Sequence, residues 1–218
     1  MLILMSLALA AQTAPTTEAA PPEPTARDAY EDCIRMSASD PTNADRLARQ
    51  WISQEGGAPA RHCLAMTQLH QEKPDAAAAT LVEAARIAES EGSAFAADLY
   101  GQAGNAALLA GDAISAEQHF DQALIGAARG RDDLHGRLLI DRALARTEQG
   151  KIVAARADLL AATQADRNNL DAWLLLAATE RRAGNMPAAE SAIQQAIRLA
   201  PDNSDVLEEA ARIAVEDE

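Results

Sequence analysis

The sequence predicts an all-α fold, a solenoid of antiparallel helix pairs closed by a terminal helix, and three observations carry the prediction. The 218 residues are 48% hydrophobic but only 3% aromatic, and about a quarter are alanine, a composition that suits closely packed helices better than sheets. Glycines recur at Gly111, Gly150 and Gly184, 39 and 34 residues apart, where a left-handed residue would end a helix. After each glycine come two alanines seven apart with a bulky apolar residue between them: Ala116, Phe120, Ala123; Ala155, Leu159, Ala162; Ala189, Ile193, Ala196. That spacing puts all three residues on one helix face, and small residues there let a neighbouring helix approach closely. An earlier copy, Ala77, Leu81, Ala84, keeps the offsets with Glu72 in the glycine's place.

Taken in order, the chain begins with MLILMSLALAAQ, an apolar run too short to span a bilayer. Ala8-Leu9-Ala10 fits the small-x-small rule for signal-peptide cleavage. We expect residues 1–10 to be a signal peptide, although no Lys or Arg precedes Arg27 to supply the usual charged start. Residues 11–25, rich in Pro, Thr and Ala without an apolar period, read as an extended tether. The folded domain is expected over 26–218.

The repeats resemble the tetratricopeptide repeat, a 34-residue helix-turn-helix unit. The match is clearest over 170–203, where Trp173, Leu176, Gly184, Ala189, Ala196 and Pro201 stand at the family's signature offsets, with Ala177 for the usual small glycine and Ile193 for the usual aromatic. Units at 136–169 and 97–130 match more loosely; those at about 58–91 and 25–57 are degenerate. The tyrosine common at the eleventh position is replaced by Glu180, Arg146 and Ala107. The 39-residue spacings imply longer helices or longer loops in the second and third units. After Asn203, SDVLEEAARIAVEDE reads as a capping helix over 204–216, with Val206, Leu207, Ala210, Ile213 and Ala214 inward and acids outward. The resemblance implies a right-handed superhelical solenoid.

Numbered within the degenerate units, Cys33 and Cys63 fall at positions that lie side by side in tetratricopeptide stacks. A disulfide there fits the expected export and the even cysteine count, two buried thiols being the alternative. Closing that loop would stabilise the N-terminal end by about 3.6 kcal/mol on the chain-entropy model.

A net charge of −14 argues against nucleic acid and anionic lipid as partners, because both reward clustered Lys and Arg. Phosphate-cradling glycine loops, nucleophile elbows and paired zinc-ligating histidines are not found. His62, His70, His119 and His135 read as ordinary helix-surface residues, and Asp132 and Asp133 as part of a polar loop. No catalytic residue, metal or cofactor is therefore expected. In the family, first helices line a concave groove whose second, fifth, ninth and twelfth positions face the ligand. The resemblance places His62, Met66, Asn105, Leu108, Arg137, Ile140, Leu144, Leu174, Ala178 and Arg181 there. Some members clamp a peptide carboxylate with a lysine and an asparagine. Asn105 is present, but Gly101 stands for the lysine and Asp141, Asp171 and Leu175 occupy the later positions, so that clamp is missing. What remains is an exported protein of a bacterial envelope that binds a protein or peptide noncovalently in its groove, the bacterial setting resting on the short signal and on seventeen Arg against two Lys. The alternative is a structural or self-associating subunit.

Overall fold

A computed structural model describes residues 25–128 and 130–216. The expected signal segment and all of the tether but Thr25 lie outside the described residues. Eleven α-helices and no strand occur among the described residues: α1 (Ala26–Ser39), α2 (Pro41–Ser53), α3 (Gly57–His70), α4 (Pro74–Ser90), α5 (Phe95–Leu109), α6 (Ala113–Ala127), α7 (Asp132–Glu148), α8 (Ile152–Ala165), α9 (Leu170–Arg182), α10 (Met186–Leu199) and α11 (Ser204–Glu216). Consecutive helices pair as five hairpins, and α11 ends the stack against α9 and α10.

Local chemistry sets these bounds. Thr25 and Asp28 form a capping box at α1, Asp40 caps α2 ahead of Pro41, and Asp112 and Asn169 cap α6 and α9. Each such oxygen satisfies a backbone N–H that the helix leaves without a partner. The turns inside the later hairpins use Gly111, Gly150 and Gly184 at φ 80°, 72° and 73°. At the equivalent turn Glu72 takes φ 58°, a conformation in which its Cβ is strained. The 39-residue spacings come mainly from helix length: α7 has 17 residues against 13 in α9, and α4 has 17. Asp132 and Asp133 lie in the first turn of α7 rather than in a loop.

The alanine rows are buried as their spacing requires. Ala77, Ala84, Ala116, Ala123, Ala155, Ala189 and Ala196 are inaccessible, with Leu81, Phe120, Leu159 and Ile193 between them. Close approach is most demanding at Gly104, where a Cβ would lie 2.5 Å from the Phe120 ring. A second, smaller core of Cys33, Ala48, Cys63 and Leu64 serves α1 to α3. Cys33 and Cys63 are bonded, with Cα atoms 6.0 Å apart.

At the other end α11 departs from the expected cap. Val206 and Ile213 are buried, but Leu207 is 51% exposed and Ala214 is exposed, while Glu209 is only 4% exposed. The helix is rotated because its Glu209 meets Arg181 of α9, as a sixth first helix would meet the fifth.

Candidate functional site

The candidate site is the face formed by the first helices α1, α3, α5, α7, α9 and α11, where the sequence places the groove residues. At its N-terminal end His62 is buried rather than on the surface. Its Nε2 lies 2.8 Å from Gln102 Oε1 and its Nδ1 2.8 Å from the Tyr30 hydroxyl. The Gln102 oxygen can only accept, so Nε2 carries the proton and Nδ1 accepts from Tyr30. Tyr30 stacks on the imidazole and Phe95 meets it edge-on, at centroid distances of 5.8 and 5.5 Å. Burial lowers the His62 pKa, with the Gln102 hydrogen bond opposing it, so the ring is neutral and joins α1, α3 and α5. Sequence spacing gave no signal for this link, because its partners lie 32 and 40 residues away.

In the middle of the face, Asn105 and Arg137 are exposed and Asp141 half-buried. Burial raises the Asp141 carboxyl, and the Asn105 amide and the Arg137 charge pull it back. These groups, two of them expected groove residues, therefore form one polar cluster between α5 and α7. Leu108 is half-buried against the main core, and Ile140 belongs to that core at 8% exposure. Leu144, at 38% exposure, lines a notch of about 100 Å³ with Ala178. Leu174 packs on the core and Met66 is half-buried.

Arg181 is held by its neighbours. Its Nε and Nη1 lie 2.7 Å from Glu209 and Glu216 of α11, and hydrogen bonding to Glu209 raises its pKa. The expected acid-outward pattern hid this pair. Two of the three eleventh-position departures, Arg146 and Glu180, have a similar explanation, while Ala107 is simply buried in the main core. Arg146 pairs with Glu117 of α6 at 2.8 Å and Asp158 of α8 at 2.7 Å. Arg142 adds Asp158 at 2.6 Å and Asp121 at 2.7 Å. Glu180 takes Arg156 at 2.6 Å and the Asn185 amide at 2.9 Å. At these two positions, where a tyrosine is common in the family, charge links successive units. Burial alone would raise the Glu117 carboxyl, but hydrogen bonds from Lys151, Arg146 and Gln149 hold it at about 2.

Of the repeat signature, Leu176, Ala189 and Ala196 are buried, Trp173 is half-buried with its Nε1 donating to the Arg167 carbonyl at 2.9 Å, and Pro201 turns between α10 and α11. Among the described residues no group of three or more His, Cys, Asp or Glu is arranged to hold a metal ion, and no helix is long and apolar enough to cross a membrane.

The hairpin stack is a helical-repeat architecture, and its C-terminal unit carries the spacing of the tetratricopeptide repeat. Residues 170–213 match the family model of the tetratricopeptide repeat, and this segment is one such repeat. Among curated proteins no sequence is significantly similar to the chain. Solved structures similar to it include YrrB, described as a TPR protein with an unusual peptide-binding site, with TM-score 0.67, 16% identity, and 86% of this chain and 92% of that one covered. PilF of Pseudomonas aeruginosa gives TM-score 0.65 and 15% identity over 87% and 85% of the two chains. MamA of Desulfovibrio magneticus RS-1 gives 0.66 and 13% over 82% and 95%. At these identities the likeness is one of fold.

Proposed function

We propose that the chain is a non-enzymatic scaffold that binds a protein or peptide along its first-helix face, in the envelope of a bacterium. The observation that carries this reading is the run of Asn105, Arg137 and Leu144, exposed on two adjacent first helices whose other sides are spent on packing. A rigid stack presents such a row without the ordering cost a loop would incur on binding. The peptide-binding site described for YrrB, at TM-score 0.67, supports the same use of the fold. The Cys33–Cys63 bond supports export, because disulfides persist in oxidising compartments.

A photo-crosslinking residue at Leu144 in intact cells tests the reading, with Val153, 83% exposed on a second helix, as the control position. Adducts to one foreign protein from Leu144 alone support groove binding. Adducts only between copies of the chain favour a self-associating subunit, for which the exposed pair Ile114 and Val153 at equivalent positions of successive units offers a surface. For export, the intact mass of envelope material should lack about ten residues, the signal-peptide length expected above. Arg137→Glu is the informative charge reversal, since Arg181→Glu would set a carboxylate against Glu209 and Glu216.

A further inference from the structure

The seams between successive first helices are not alike. One register position reads Asp141 in α7, Leu175 in α9 and Glu209 in α11, each 34 residues after the last. Between α5 and α7 it is a carboxylate with the Asn105 amide and the Arg137 charge beside it. Between α9 and α11 it is again a carboxylate, paired with Arg181 at 2.7 Å. Between α7 and α9 it is a leucine, which can form no polar pair across the seam. Leu144, Leu175 and Ala178 there surround an open notch of about 100 Å³ floored by Leu159. Glu148 and Arg182 stand at its rim, both exposed, and neither forms an ion pair with another described residue.

We propose that this notch seats one branched aliphatic side chain of a partner protein, with a basic residue of the same segment against Glu148 and an acidic one against Arg182. The proposal rests on the first-helix face being the binding surface and names what that surface selects. The lining is mostly methyl and methylene groups, with the Thr147 hydroxyl already donated to the Ala143 carbonyl and Thr179 buried, so a polar side chain would lose more hydrogen bonding to water than it regains. The space suits a leucine, isoleucine or valine and is too small for an indole. Two unpaired rim charges of opposite sign fix the direction of the segment, because the reversed peptide would place like charges together. The flanking seams are already satisfied within the chain, so the apolar break is where a partner gains most from burial.

A random dodecapeptide display library panned against the full chain tests this, followed by fluorescence-polarisation titration of the enriched peptides. Enriched peptides should share one aliphatic residue between a basic and an acidic one. Replacing that residue by alanine should weaken binding by about tenfold or more, the value of burying such a side chain. Ala178→Leu, which fills the notch, should cause the same loss with an unchanged circular dichroism spectrum and Tm. Should that variant misfold, Leu144→Ser alters the wall at a half-exposed position. Glu148→Lys should move library selection towards an acid at the basic position. Peptides that lose affinity with Arg137→Glu but not with Ala178→Leu or Leu144→Ser would leave the groove reading standing and overturn the notch. No enrichment, or equal binding to every variant, would overturn both. A concentration-dependent dimer abolished by Ala178→Leu would make the occupant a second copy and overturn the foreign partner.

Discussion

Helices α1 and α2 are fastened to the stack by a disulfide, a neutral histidine and the small Cys33, Ala48, Cys63, Leu64 core. From α6 to α11 the units are fastened by arginine–carboxylate pairs laid over the main core. The contrast follows from how much apolar surface each region can bury. Among the described residues the α1–α2 hairpin has a neighbouring hairpin on one side only, and a bond whose strength does not depend on area supplements its small buried surface. Interior units already have a packed core, and there charge can set register without carrying stability. Such pairs lose hydration on burial, so they are costly to break even where they contribute little when intact.

The largest effect should come from breaking the second kind of fastening. Asp158→Ala removes the nearly buried carboxylate that Arg142 and Arg146, one turn apart on α7, share, and leaves them only Asp121 and Glu117. It should cost about 3–5 kcal/mol, read by hydrogen exchange as lost protection in α6 to α8 with α1 to α3 little changed. Replacing Cys33 and Cys63 by serine should remove about 3.6 kcal/mol, with the loss confined to α1 to α3. Uniform loss along the chain in either variant would show that the two regions are one cooperative unit.

Acid should separate the regions further. His62 has a lowered folded pKa through burial, so the unfolded chain binds its proton first, and stability of the N-terminal end falls as the pH drops below the unfolded value of about 6.5. His62→Gln should flatten that slope. Glu117 is held at about 2 by Lys151, Arg146 and Gln149 against the opposing effect of burial. Its contribution is complete above the unfolded carboxylate value of about 4.3 and is lost as the pH falls from there towards about 2. Local exchange measured across pH should therefore show α1 to α3 loosening first. The smallest effect is a gain: Glu72→Gly relieves a left-handed non-glycine residue and should raise the Tm, by about 1 kcal/mol of stability.

Much of this fold was legible because its signals are local. Gly111, Gly150 and Gly184 marked the turns, the alanine triplets marked the buried faces, and Glu72 was found at an equivalent turn where the glycine is missing. The Asp132 to Gly136 stretch misled because two carboxylates beside glycines resemble a loop as much as a helix start. Leu207 and Glu209 misled because amphipathic counting cannot know that Arg181 waits across the seam. His62 was placed on the surface for the same reason, its partners Tyr30 and Gln102 being far along the chain. Of the candidate site, Asn105, Arg137 and Leu144 were read from repeat register alone, and the structure finds them exposed, whereas Ile140 and Arg181 are taken up by contacts no register discloses.

The disulfide joins first helices of two successive units, 30 residues apart, and not the two arms of one hairpin. Its sulfurs meet only after α1 has settled beside α3 in the right register. A slip of one helical turn, about 5.4 Å, would carry Cα atoms now 6.0 Å apart to about 8 Å, too far to bridge. The bond is thus a proofreading mark. A molecule that carries this bond certifies that its first two units stacked in register.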